Sequence, residues 1–242
     1  MKNLAPIYII SLLLIALVII PKFSFSQQQL STQELMGKGT PKLYGNGYKL
    51  RKDAHLAFLK LKAAALKEGI NIQVVSSYRN FDHQKRIWKR KYNRYINQGL
   101  TATQSIQKII EYSTIPGTSR HHWGTDLDIV DASVKQPSNL LNPKHFDSLG
   151  PFCKLKEWMD INATEYGFYL VYTDLPNRKG FKYEPWHYTY KPLSKSYLAQ
   201  YKNLDIKTIL KNSKLDGSHA FSNNYIDAYI SENILDINPE LL

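Results

Sequence analysis

One cysteine, Cys153, stands among 242 residues, so no internal disulfide can staple this chain. It sits in the apolar stretch PFCKLKEWM, where a small buried side chain is its expected use. Acidic residues are also scarce. Twenty Asp and Glu face 32 Lys and Arg, for a formal charge of +12. Such an excess calls for an anionic neighbour, yet no nucleic-acid-binding motif accompanies it, and no nucleic-acid partner is expected. The densest basic run, Lys85, Arg86, Lys89, Arg90, Lys91 and Arg94, falls on more than one side of a helix and reads as a solvated face. There is no internal repeat, which argues against a solenoid, and no low-complexity tract.

Long apolar runs are absent except near the N-terminus. Lys2 precedes an apolar run from Ile7 to Ile20, Pro21 breaks it, and Ser24-Phe25-Ser26 supplies small residues. This is the pattern of a secretory signal peptide, with cleavage expected after Ser26. The run is short of the roughly 20 apolar residues that a membrane span takes. No stable membrane insertion is expected once the segment is removed, and an uncleaved segment would act as an N-terminal anchor. No cysteine stands at the cleavage site, which argues against a lipoprotein. The working part is expected outside the cytoplasm, in the periplasm or cell envelope.

What remains is ordinary for a protein with a core: 43% of residues are hydrophobic, with 17 tyrosines that suit half-buried packing or a groove lining. Residues 27–50 read as an irregular lead-in. Asp53 can cap a helix to about Glu68, along which Leu56, Leu59, Ala63 and Leu66 recur at helical spacing before Gly69. Residues 70–76 read as a short strand. Residues 81–97 form an amphipathic helix with Ile87, Trp88, Tyr92, Tyr95 and Ile96 toward the core, and a shorter helix spans about 102–112. TDLDIV at 125–130 reads as a strand, 133–149 as loop, 151–166 as helix, GFYLVY at 167–172 and EPWHYTY at 184–190 as strands, and 194–242 as several short helices. This succession gives an α+β fold with a small antiparallel sheet flanked by helices. The expected organisation is a signal peptide at 1–26, the lead-in at 27–50, a working domain at 51–204, and a helical extension at 205–242 packed on it.

SRHHWGTDLD at 119–128 crowds His121, His122, Asp126 and Asp128 together, and EPWH at 184–187 adds Glu184 and His187. A catalytic zinc site takes three protein ligands and leaves one position open. Hydrolysis also needs a base that is not itself a ligand. These two segments supply enough imidazoles and carboxylates for both, without saying which of the crowded residues does which.

The two motifs, with SSYRN at 76–80 and Gln84 upstream, resemble the VanY-like zinc D-alanyl-D-alanine peptidases of the hedgehog/DD-peptidase fold group. Their pattern is S-x-H-x-x-G-x-[small]-x-D followed by E-x-x-H. The resemblance covers about residues 50–192. It implies that His121, Asp128 and His187 hold one Zn2+ and that Glu184 is the general base and acid toward a zinc-activated water. It makes Arg79 a cation for the tetrahedral intermediate or for the substrate's terminal carboxylate. Ser119, Gln84 and Trp186 join Arg79 as substrate-binding residues. His122 and Asp126 are then extras: His122 is expected to pack or face out. Asp126 stands where the family has a small residue, and is expected to bond a ligand histidine or lie in solvent. The implied activity is a D,D-carboxypeptidase acting on the D-Ala-D-Ala end of peptidoglycan stem peptides. A D-Ala-D-Ala dipeptidase, a peptidoglycan endopeptidase and a non-catalytic wall-binding module are the alternatives.

Overall fold

A computed structural model describes residues 29–242, so the expected signal peptide lies outside the described residues. Four antiparallel strands form one sheet in the order β1-β2-β4-β3. They are β1 (Ile72–Ser76), β2 (Asp126–Asp131), β3 (Phe168–Leu170) and β4 (His187–Tyr190). Every residue of β2 is buried, as a central strand covered on both faces requires. Eight α-helices surround the sheet among the described residues, so the architecture is α+β.

The lead-in contains one helical turn, α1 (Thr32–Leu35), closed by a capping box between Ser31 and Glu34. Glu34 also pairs with Arg51 at 3.1 Å, and the Leu35 carbonyl accepts the Trp123 indole N–H. The second contact ties the lead-in directly to the segment that carries His121, and the first does so through Arg51, whose Nε donates to the Trp123 carbonyl.

Helix α2 (Lys52–Lys67) buries Ala54, Phe58, Leu61 and Ala65. The stripe legible in the sequence is the outer one: Leu56, Leu59 and Leu66 are 47%, 46% and 56% exposed. The helix carries two apolar stripes, and the one holding the aromatic ring wins. Phe58 packs edge-on against Tyr48 and Phe168, which leucine at the same turn would not reproduce. Asp53 is not the cap; it lies in the first turn, next to the positive end of the helix dipole.

Helix α3 (Phe81–Asn97) is capped by Asn80 and buries Gln84 and Trp88, while Ile96 is exposed. Helices α4 (Ala102–Ile109) and α5 (Cys153–Asn162) follow, and Cys153 is half-buried rather than buried. The segment EPWHYTY is not one strand. Residues 184–186 form a turn, with the His187 N–H donating to the Glu184 carbonyl at 3.0 Å. Pro185, lacking an N–H, suits such a break.

The C-terminal part comprises α6 (Lys191–Tyr201), α7 (Ile206–Lys211) and α8 (Asn223–Tyr229). Its side chains share one core with Trp88, Ile106 and Trp123. The Tyr229 hydroxyl accepts the Ile115 N–H and bonds Thr118, and Trp88 donates to the Asp216 carbonyl. Ending the chain at Leu204 would remove Ile206, Leu210, Phe221, Ile226, Tyr229, Ile237 and Leu241, all buried. At ~1.5–3 kcal/mol for each buried large side chain, the loss matches or exceeds a typical stability of ~5–15 kcal/mol. The truncated chain is expected to show no cooperative thermal transition by circular dichroism; a soluble fragment melting like the full chain would contradict this.

Candidate active site

His121 belongs to a single 3-10 turn, Arg120–Trp123, which Gly124 ends in the left-handed conformation at φ 71°. A Cβ there would stand 2.9 Å from Leu43 Cδ2, so glycine serves both backbone and packing. From this turn the chain enters β2 and delivers Asp128, which lies opposite His187 of β4 and Ser76 of β1. Sheet register thus brings together residues far apart in sequence. One ligand atom from each of His121, Asp128 and His187 lies within 4.8 Å of the others, and all three residues are buried.

The hydrogen bonds orient both imidazoles. His121 Nδ1 meets the Ser77 carbonyl at 2.8 Å. A carbonyl only accepts, so Nδ1 carries the proton and Nε2 turns its lone pair toward Asp128, 3.4 Å away. His187 Nε2 meets Asp126 Oδ1 at 3.0 Å. The opposite ring nitrogen, Nδ1, faces Asp128 at 3.7 Å and Glu184 at 3.0 Å.

Asp126 is therefore not in solvent; it is fully buried. Besides His187, its oxygens accept from Arg120 Nε at 3.0 Å, Thr125 Oγ1 at 2.6 Å and Thr189 Oγ1 at 2.7 Å. Burial opposes its charge, but Arg120 and His187 more than offset this and hold the carboxyl well below the usual carboxylate range. His122 does not face out. Its Nδ1 donates to the Arg79 carbonyl at 2.6 Å and its Nε2 accepts the Gly117 N–H at 3.1 Å. Burial brings it down to about 3, so it is a neutral strut under Arg79 and stands apart from the three-donor cluster.

The cluster opens into a cleft of about 470 Å³. Arg79, Gln84, Ser119, Glu184 and Trp186 all line it. Arg79 Nη1 donates to Ser76 Oγ at 2.8 Å and stands 3.8 Å from Asp128. Gln84 Nε2 donates to the Thr114 carbonyl, while Gln84 Oε1 and Ser119 Oγ are buried without a partner. Trp186 is tilted against Phe146 and Tyr112 and forms part of the wall. Tyr172, whose ring meets His187 edge-on, and Lys91 also line the cleft. Neither carries a motif: Tyr172 reads only as a strand residue, and Lys91, expected on a solvated face, is instead half-buried in the cleft wall.

The donor set fits a divalent metal. Two imidazole nitrogens and a carboxylate converge, as at open zinc sites. Asp128 Oδ1 is buried with no hydrogen-bond partner, which a cation would relieve. Burial opposes the Asp128 charge, yet His121, His187 and Arg79 bring it down to about 2, so it is an anion at neutral pH. Burial raises Glu184, against the pull of His187.

Burial also works against the His187 imidazolium, but Asp126 and Glu184 outweigh it and push His187 up to about 9. An unfolded histidine titrates near ~6.5. Because the folded value is the higher one, this proton contributes stability in full below ~6.5 and the contribution is lost as pH rises through about 9. A metal must displace the same proton from Nδ1. The metal-free protein is expected to melt at progressively lower temperature across that window. Metal uptake near pH ~7.5 should release about one proton, read by calorimetry in buffers of different ionisation enthalpy. Uptake with no proton release would show Nδ1 to be already bare.

Comparison with known proteins bears on the family and the fold. Residues 47–193 match the family VanY, D-alanyl-D-alanine carboxypeptidase. An uncharacterized protein of Haemophilus influenzae is 34% identical over 89 residues, covering 36% of this chain and 68% of that protein. A D-alanyl-D-alanine carboxypeptidase of Enterococcus faecalis is 26% identical over 152 residues, 62% of this chain. The chain spans only about half, 52%, of that enterococcal protein. The structure of VanYB in complex with D-Alanine-D-Alanine superposes with a TM-score of 0.51 at 24% identity, covering 72% of this chain and 88% of that one, a likeness of fold. With more than half of its length matched by the family, the chain belongs to the VanY D-alanyl-D-alanine carboxypeptidases.

Proposed function

We propose that this protein is a zinc-dependent D,D-carboxypeptidase that removes the terminal D-Ala from peptidoglycan stem peptides outside the cytoplasm. The observation that carries this reading is the buried Glu184 carboxylate. It stands beside the three-donor cluster without being needed in it, as a hydrolytic base should and as a closed structural site would not require. That disfavours a non-catalytic wall-binding module.

His121 through Nε2, Asp128, and His187 through Nδ1 would hold the zinc. When bound, zinc supplies an acidified water and a Lewis acid for the scissile carbonyl. Glu184 takes the proton from the attacking water and returns it to the departing amine. Its raised pKa brings it toward the range in which one carboxyl can do both. Arg79 lies next to the metal donors, which favours the developing oxyanion over the terminal carboxylate as its partner. That Ser119 Oγ and Gln84 Oε1 are both without partners supports a role for them in bonding the substrate peptide, with Trp186 excluding water from one side.

We read residues 51–204 as the peptidase domain and 205–242 as an extension of it. The basic charge of +12 suits an exported protein that works on an anionic wall. Zinc-loaded protein incubated with a pentapeptide muropeptide should release single alanine, seen by mass. Release of the dipeptide would make it a dipeptidase, an internal cut an endopeptidase, and an intact muropeptide would refute the hydrolase reading.

A further inference from the structure

Helix α3 turns one file of side chains into the cleft: Gln84, Ile87, Lys91, Arg94 and Tyr95, at the three- and four-residue spacing of a single helix face. Gln84 is bonded to Thr114, and Arg94 bonds the Tyr95 hydroxyl and lies over its ring. Lys91 differs. It is half-buried in the cleft wall, and among the described residues no hydrogen bond or ion pair reaches its ammonium. The charges that act most on it are one carboxylate, that of Glu184, and three guanidiniums, those of Arg94, Arg79 and Arg90. Glu184 is committed to His187 in the metal-free protein and to proton transfer in the proposed reaction. Burial, aided by those guanidiniums and opposed by Glu184, lowers Lys91 to about 8, the cost of a cation held without a counterion.

A cleft wall with surplus positive charge and an unpaired, partly desolvated ammonium is complementary to an anion that arrives with the ligand. We propose that Lys91, with Arg94 on the next turn, is a subsite of the cleft that binds a carboxylate on a side chain of the peptide substrate. The proposal rests on the peptidase reading, which makes a peptide the occupant. The basic run of α3 thus divides: Lys85, Arg86, Lys89 and Arg90 are exposed, and Lys91 serves the cleft.

The test uses two peptides ending in D-Ala-D-Ala that differ only in the preceding residue, whose side chain bears a carboxylate or a carboxamide. The zinc enzyme should show a KM about tenfold lower for the acidic peptide, with similar kcat, as one charge-assisted contact would give. Lys91→Met, which keeps the aliphatic stem, should bring that ratio to about 1, and Lys91→Glu should favour a third peptide bearing an amine. Equal KM values in the parent enzyme, or a ratio that survives in K91M, would overturn the subsite. A KM raised equally for both peptides in K91M would mean that Lys91 holds the terminal carboxylate, and would overturn the side-chain assignment. Binding of the same peptides to zinc-loaded Glu184→Gln protein, read by calorimetry, decides the preference without turnover. Failure of the parent enzyme to cleave either peptide would then count against the hydrolase and not against the subsite, whereas equal binding would count against the subsite alone.

Discussion

Glu184→Gln should keep its zinc and lose between about a hundredfold and ten-thousandfold in kcat, the usual weight of a general acid–base group. The carboxylate contacts His187 Nδ1 at 3.0 Å but is not one of the three converging donors. Glutamine is close to isosteric, so the cleft should keep its shape and the metal its ligands. Only the proton acceptor disappears. Zinc content and thermal stability measured on the same preparation separate a missing base from a damaged fold. A variant that holds zinc and cleaves at the parent rate would remove Glu184 from the chemistry. One that loses the metal would make the carboxylate a ligand instead.

The second large effect falls on Asp126. Its replacement by alanine strips the Arg120 guanidinium and the His187 Nε2–H of their buried acceptor. Arg120 is only 5% exposed, and a buried charge deprived of its partner costs about 3–5 kcal/mol. The loss should be visible as a lower melting temperature in the metal-free protein. Zinc affinity should fall as well, by roughly 10–100-fold, because the bond that fixes the His187 ring and leaves Nδ1 facing the cluster is gone. Combining Asp126→Ala with Arg120→Met should recover part of the stability, since no charge is then stranded, but should not restore the zinc affinity. An Asp126→Ala variant with unchanged melting and unchanged affinity would show that the carboxylate is dispensable to both.

The metal donors were legible only through the family resemblance: the residues of 119–128 and 184–187 left the choice among His121, His122, Asp126, Asp128, Glu184 and His187 open, and matching the motif picked His121, Asp128 and His187, the three that converge. Asp126 was legible only in part: a bond to His187 is one of its two expected placements and solvent the other, and register decides between them. Only the pairing of β2 with β4 sets it against Thr189 and under the His187 ring, and nothing local distinguishes this from an exposed strand position. Arg120 was hidden for the same reason, as its acceptors Asp126 and Thr189 are assembled by the sheet. The inner face of α2 was not legible because two apolar stripes share the helical period, and the choice between them rests on what Phe58 meets across the core. The tyrosines divide by the same tertiary logic: Tyr188, Tyr197, Tyr201 and Tyr229 are buried, while Tyr95 and Tyr112 line the cleft. Composition could not assign either group. Lys91 looked like its basic neighbours until the cleft was seen to pass beside it.

Two imidazoles and one carboxylate, drawn from separated segments, are proposed to hold a single zinc. X-ray absorption on the zinc-loaded protein tests this most directly. The expected result is one zinc per chain with nitrogen and oxygen neighbours at ~2.0–2.2 Å, two of them imidazoles, and no sulfur. A spectrum with a sulfur ligand at ~2.3 Å, or one left unaltered by His121→Ala, would contradict it.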